Sequence, residues 1–108
     1  MVTYLIHYTV QYAAHDLFIE WLKTEHIPEI LSLPGFMKAE LCLRKGGSMT
    51  SSSKEVGIIC YINDEDSLKT YISDHAMKVR EKGLEKFPGQ YSTQRDVWLE
   101  TYTFERQP

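Results

Sequence analysis

Three groupings of side chains in this sequence have types and spacings that could do proton or ligand chemistry. The first is Trp21, Glu25 and His26, within HDLFIEWLKTEHIPEIL. Trp21 and Glu25 are four residues apart, so on a helix they share a face with Leu17 and Leu22. His26 stands just before Pro28, whose missing N–H leaves helix carbonyls free. A neutral imidazole there can donate to one of them and offer its other nitrogen to a ligand. The bland alternative makes Trp21 a core residue, sends Glu25 to solvent through the kink and leaves His26 as a helix-end fastener.

The second grouping is His75 and Arg80. His75 falls on a helical stripe with Leu68, Tyr71, Ile72 and Val79. An imidazole on an apolar face is a general base or a haem ligand, or else a satisfied core histidine. Arg80 can hold a carboxylate or phosphate, or simply pair with Glu81, Glu85 or an acid of the first helix. The third is a set of tyrosines, Tyr4, Tyr8, Tyr61, Tyr91 and Tyr102, with His7 between the first two. Such residues line clefts, with an apolar body and a polar tip. They equally serve as core or interface.

Other chemistries lack their signatures. The chain carries no phosphate-binding glycine loop, no GxSxG and no HExxH. No CxxC or Cys/His cluster accompanies Cys42 and Cys60, so no metal site is expected. Both cysteines lie in strand-like runs and are expected as small buried hydrophobes. No cofactor is expected either.

These residues need elements to position them. VTYLIHYTV (Val2–Val10) is β-branched and aromatic, with apolar residues on both parities, as in a strand covered on both faces. The next segment turns helical with Asp16 as N-cap, and Pro28 is expected to kink it or start a second short turn near His26–Ile27. Leu33-Pro34-Gly35 stops it. FMKAELCLR (Phe36–Arg44) alternates, with Met37, Ala39, Leu41 and Leu43 on one face and Lys38, Glu40, Cys42 and Arg44 on the other. Residues 45–54 read as a mobile Gly/Ser-rich loop closing a hairpin with Lys54–Ile62. Asn63 or Asp64 caps the second helix, which continues or re-caps at Asp74, weakens at Gly83 and ends at Pro88-Gly89. Gln90–Phe104 is a long fourth strand. No internal repeat appears.

The order β-α-β-β-α-β is the ferredoxin-like arrangement, an α+β sandwich of four antiparallel strands with both helices on one face. Strands one, three and four are apolar on both parities, so the other sheet face is expected to pair with a second copy, giving a homodimer. Length and composition agree with one domain over 1–108. The chain has 108 residues, 43% hydrophobic and 25% charged, which is ordinary globular composition. A chain of this size buries about two-thirds of its surface, enough for one core. The net charge of −3 argues against nucleic-acid binding. KEVGIICYI also lacks the aromatic pattern of the RNA-recognition module that shares this topology. The start, MVTYLIHYTV, has no basic region of a signal peptide, and no apolar run approaches a membrane span. A cytoplasmic setting is expected.

WLKTEHIPEIL (Trp21 to Leu31) followed by Pro34-Gly35-Phe36 resembles a small uncharacterised bacterial family of about this length. The likeness extends through Tyr71, His75-Ala76, Arg80, Gly83 and Phe87 to Arg95 opening strand four. That family is grouped with the dimeric α/β-barrel proteins, among them antibiotic-biosynthesis, haem-degrading and stress-responsive members. The resemblance implies a dimer with a ligand cleft between sheet and helices. The expected ligand is a small apolar or aromatic molecule, and a cofactor-independent monooxygenase-like or isomerase-like activity follows by analogy. In that reading His26 and His75 move protons, Trp21 and Tyr71 form walls and Arg80 holds an anionic group. The rival reading is a non-catalytic regulatory or protein-interaction module acting through its homodimer.

Overall fold

Alternating burial along the central strands sets the architecture. In β1 (Val2–Gln11) the residues Val2, Tyr4, Ile6, Tyr8 and Val10 are all buried. In β3 (Ser53–Ile62), Val56, Ile58, Cys60 and Ile62 are buried in the same rhythm. Period-2 burial puts these residues on one sheet face. The computed structural model describes residues 1–44 and 52–108; most of the expected 45–54 loop lies outside them.

The sheet order is β2-β3-β1-β4, antiparallel throughout, with β2 at Phe36–Leu43 and β4 at Tyr91–Trp98. This is the ferredoxin-like fold expected. Tyr4 opposes Val97, Ile6 opposes Arg95 and Val10 opposes Tyr91, so Arg95 and Tyr91 face the helices. A register shift between Phe36 and Lys38 buries Phe36 and leaves Met37 exposed. Met37 therefore leaves the face expected for it, while Leu43 stays opposite Val56 on that face but is exposed, and only Ala39 and Leu41 pack on the core. Cys42 is exposed on the other face, contrary to expectation, whereas Cys60 is core and burial pushes its thiol up to about 12.

Each helical layer is interrupted in the same way. The first comprises α1 (His15–Trp21), a π-turn (Leu22–His26) and α2 (Ile27–Leu31), after a 3-10 turn at Tyr12–Ala14. The Ile27 N–H bonds to Leu22 O, five residues back. A proline ring clashes with the carbonyl four residues before it and offers no N–H. The widened turn accommodates Pro28 at the start of α2. Asp16 is no N-cap; it lies inside the first turn and its carboxylate meets His15 Nδ1 at 3.1 Å.

The second layer comprises α3 (Glu65–Thr70), a π-turn (Tyr71–His75) and α4 (Ala76–Lys86). Asp64 caps it, accepting from the Ser67 N–H at 2.8 Å. Ala76 N–H bonds to Tyr71 O. The extra residue advances the buried stripe to Leu68, Tyr71, Ala76 and Val79, leaving Ile72 exposed and His75 only half-buried. The expected regular stripe through Ile72 and His75 is thus corrected by one turn of π geometry. Phe18 and Leu22, both fully buried, anchor the first layer on the sheet, each contributing about 2 kcal/mol of burial. Strand four ends at Trp98 rather than Phe104, and residues 99–108 are irregular.

Candidate functional site

Four elements converge on one small inner cavity between sheet and helices. β1 supplies Ile6 and Tyr8, the first helical layer Trp21 and His26, the second Tyr71 and Arg80, and β4 Tyr91 and Arg95. Its volume is about 20 Å³, room for one water-sized group. Arg95 is exposed and Arg80 half-buried.

His26 is buried, and its Nε2 lies 3.3 Å from the Tyr8 hydroxyl. Burial lowers the His26 pKa to about 4, with Glu29 opposing and Arg95 and Lys82 assisting. The imidazole is therefore neutral at pH 7. Burial pushes the Tyr8 phenol well above its ordinary range, and Tyr71 up to about 12, so both hydroxyls stay protonated. Trp21 stacks on His26 with centroids 4.5 Å apart, and the Tyr8 ring meets Phe18 and Tyr91 edge-on.

Trp21 and His26 also border a wider cleft of about 410 Å³ between the two helical layers. Two ion pairs cross it: Lys82 with Glu29, and Lys86 with Glu25 at 2.9 Å. The stacked pair thus separates the inner cavity from this outer cleft. Glu25 is exposed, as in the alternative that sends it to solvent through the kink.

Of the five residues singled out from sequence, Trp21, His26, Tyr71 and Arg80 meet around the inner cavity, and His75 does not line it. His26 meets a tyrosine rather than fastening a helix end through a free carbonyl. Arg80 pairs with none of the expected acids; its Nη2 donates to the Tyr4 hydroxyl at 3.3 Å. Sequence reading missed Arg95 as a lining residue, whereas Tyr8 and Tyr91, members of the tyrosine set, do line the cavity. The signal for Arg95 was the β1–β4 register, since helix-face pairing requires partners that a lone sequence does not display. The remaining tyrosines scatter: Tyr61 lies on the outer sheet face, donating to Glu40 at 2.5 Å, and Tyr102 is exposed beyond β4.

The outer sheet face is more mixed than expected. β4 presents Ser92, Gln94 and Asp96 there, and the apolar part is confined to Leu5, Ile59, Tyr61 and Trp98 around a cleft of about 400 Å³. Thr101 of the C-terminal segment meets Thr3 beside it. Among the described residues, no three His, Cys, Asp or Glu side chains are grouped to hold a metal, and no helix is long and apolar enough to cross a membrane.

The fold is ferredoxin-like, shared with solved structures that include one described as a dimeric ferredoxin-like protein and one as a putative antibiotic biosynthesis monooxygenase. By sequence, the chain belongs to the family described as "Domain of unknown function (DUF4286)", whose model matches residues 1–102. Comparison with curated proteins gives no match. Among solved structures, HapK from Hahella chejuensis superposes with a TM-score of 0.69 at 13% identity, covering 100% of both chains. SnoaB, described as a cofactor-independent oxygenase from Streptomyces nogalater, gives 0.67 at 15% identity over 97% of each chain. A dimeric ferredoxin-like protein from an uncultured marine organism gives 0.68 at 13% identity, over 98% of this chain and 100% of its own. At these identities the likeness is one of fold.

Proposed function

We propose that the chain binds a small, mostly apolar or aromatic molecule whose reacting group enters the inner cavity, and acts on it as a cofactor-independent, oxygenase-like or isomerase-like enzyme. The observation that carries this reading is the buried Tyr8–His26 pair on the cavity wall. A neutral imidazole hydrogen-bonded to a protonated phenol is a proton relay with a hydroxyl at the cavity and a base behind it. Tyr8 takes a proton from the ligand as it passes its own to His26 Nε2, leaving a ligand anion and an imidazolium. Reprotonation at another atom of that anion is isomerisation; reaction of the anion with dioxygen is oxygenation. Trp21 and Tyr71 form walls, and His75 has no part in this reading. The description of SnoaB as a cofactor-independent oxygenase supports it by analogy of fold. Convergent polar groups around a cavity also favour it over a purely interacting module.

The chain acts, in this reading, as a homodimer covering the outer sheet face. The description of one structural neighbour as dimeric supports this, as does the patch of Leu5, Ile59, Tyr61 and Trp98.

The test is a screen of small aromatic acids, phenols and quinols by thermal shift, followed by oxygen uptake and proton–deuterium exchange on the hits. Hits should perturb the His26 and Tyr8 ring resonances. His26→Gln should keep the melting temperature within a few degrees and abolish turnover. Hits that map only to the outer sheet face, or turnover unchanged in His26→Gln and Tyr8→Phe, would overturn the reading.

A further inference from the structure

The inner cavity is charged in one sense only. Arg80 and Arg95 border it, and no acidic residue does. Among the described residues neither guanidinium forms an ion pair; the six ion pairs there use other cations. Arg80 is tethered through Nη2 to the Tyr4 hydroxyl, yet its Nε is buried and meets no acceptor. A buried donor on a cation, left unpaired, carries a desolvation cost that an acceptor would relieve. Arg95, though exposed, lies close enough to act electrostatically on Tyr8, Tyr71, Tyr91 and His26 alike.

We infer that Arg80 and Arg95 form a two-armed carboxylate site, and that the ligand of this cavity is a small organic acid. The inference rests on the reading of the cavity as a ligand site and names the class of ligand it takes. Guanidinium groups match carboxylates in planarity and donor spacing, and they keep their charge at every physiological pH. The Tyr4 tether holds Arg80 in place before any ligand arrives, which reduces the ordering cost of binding. With about 20 Å³ inside, only a compact head group enters. The body of the acid must lie outside, beside Arg95, or displace the Trp21–His26 wall.

The experiment uses sodium phenylacetate and its neutral isostere phenylacetamide, titrated into uniformly 15N-labelled full-length protein in low-chloride buffer. The readouts are the Arg Nε–Hε resonances, with Arg80 assigned by its loss in Arg80→Gln. Phenylacetate should shift the Arg80 signal saturably. Affinity should fall about tenfold or more for phenylacetamide, and likewise for phenylacetate with Arg80→Gln or Arg95→Gln. Lys23→Gln, which removes one exposed helix charge, should leave affinity unchanged. Equal binding of acid and amide at the cavity overturns the carboxylate site while leaving the cavity a ligand site. Loss of affinity in Lys23→Gln equal to that in the arginine variants reduces the effect to general surface charge and also overturns it. No Arg80 shift at tens of millimolar overturns it as well, and the cavity reading is then judged by the His26→Gln screen alone. Should Arg80→Gln fail to fold, Arg95→Gln carries the same comparison.

Discussion

Trp21 and His26 are five residues apart and stack with their ring planes 24° from parallel. On an α-helix, neighbours in space are three or four residues apart. The five-residue spacing is that of the π-turn between them, closed by the Ile27 N–H to Leu22 O bond. The turn directs His26 onto Tyr8 and releases Glu25 to Lys86.

The depressed His26 pKa makes stability depend on pH. The unfolded chain takes up this proton near pH 6.5 and the folded chain only near 4. Between those values the unfolded state binds more protons, so stability is full above about 6.5 and falls as pH drops toward 4. The loss at this residue amounts to at most about 3 kcal/mol. Denaturant melts at pH 7 and 4.5 should show a smaller drop in His26→Gln than in the parent. Equal drops would mean the imidazole is not held neutral.

Trp21→Ala removes a buried side chain that touches Phe18, His26 and Phe87. The expected cost is about 3–5 kcal/mol by chemical denaturation. Because the wall between the cavity and the outer cleft goes with it, the variant should also lose binding of any cavity ligand. A cost under about 1 kcal/mol would place the indole outside the core.

Gly83 is a helical glycine whose replacement by alanine should destabilise. Alanine would normally gain about 1 kcal/mol of helix propensity. Here its Cβ would lie 2.5 Å from Tyr91 Oη and 2.9 Å from Trp21 Cη2. We expect a net loss of about 1–3 kcal/mol. Part of it should be recovered when Tyr91→Phe is added, as a double-mutant cycle would show.

The homodimer predicts a mass of about twice 12.6 kDa by light scattering at ~100 μM, since standard interfaces of ~1,600 Å² bind far more tightly than that concentration requires. Ile59→Lys, on the outer face opposite Leu5, should give a folded monomer. A parent already at 12.6 kDa would refute the dimer.

The strands and their order were legible because Val2–Val10 and Lys54–Ile62 show unbroken β-branched and aromatic runs, which local propensity and burial both favour. The helix interiors were less so. A period of 3.6 assigns Ile72 and His75 to the core, and one inserted residue moves that stripe to Ala76. Pro28 signalled trouble in the first layer; nothing comparable marks the second. At the cavity, Trp21, His26, Tyr71 and Arg80 stood out by residue type, whereas Arg95 depends on pairing with Ile6. Cys42 was misplaced because alternation identifies two faces without saying which is covered.

The two π-turns give the chain a hidden duplication. Each half runs strand, helix, π-turn, helix, strand, and the turns end in Glu25-His26 and Asp74-His75, forty-nine positions apart by subtraction of their numbers. The halves differ in what the histidine meets: His26 finds Tyr8, while His75 stays half-exposed. An α-helix rotates about 100° per residue. Drawing the first turn into α geometry with all five of its residues kept would therefore swing the upstream and downstream helix faces out of phase by that angle, whereas deleting Thr24 would restore four-residue spacing and keep them in phase. The constellation around Tyr8 thus hangs on the widened turn, and closing that turn to α geometry without a deletion would erase it while sparing every residue that composes it.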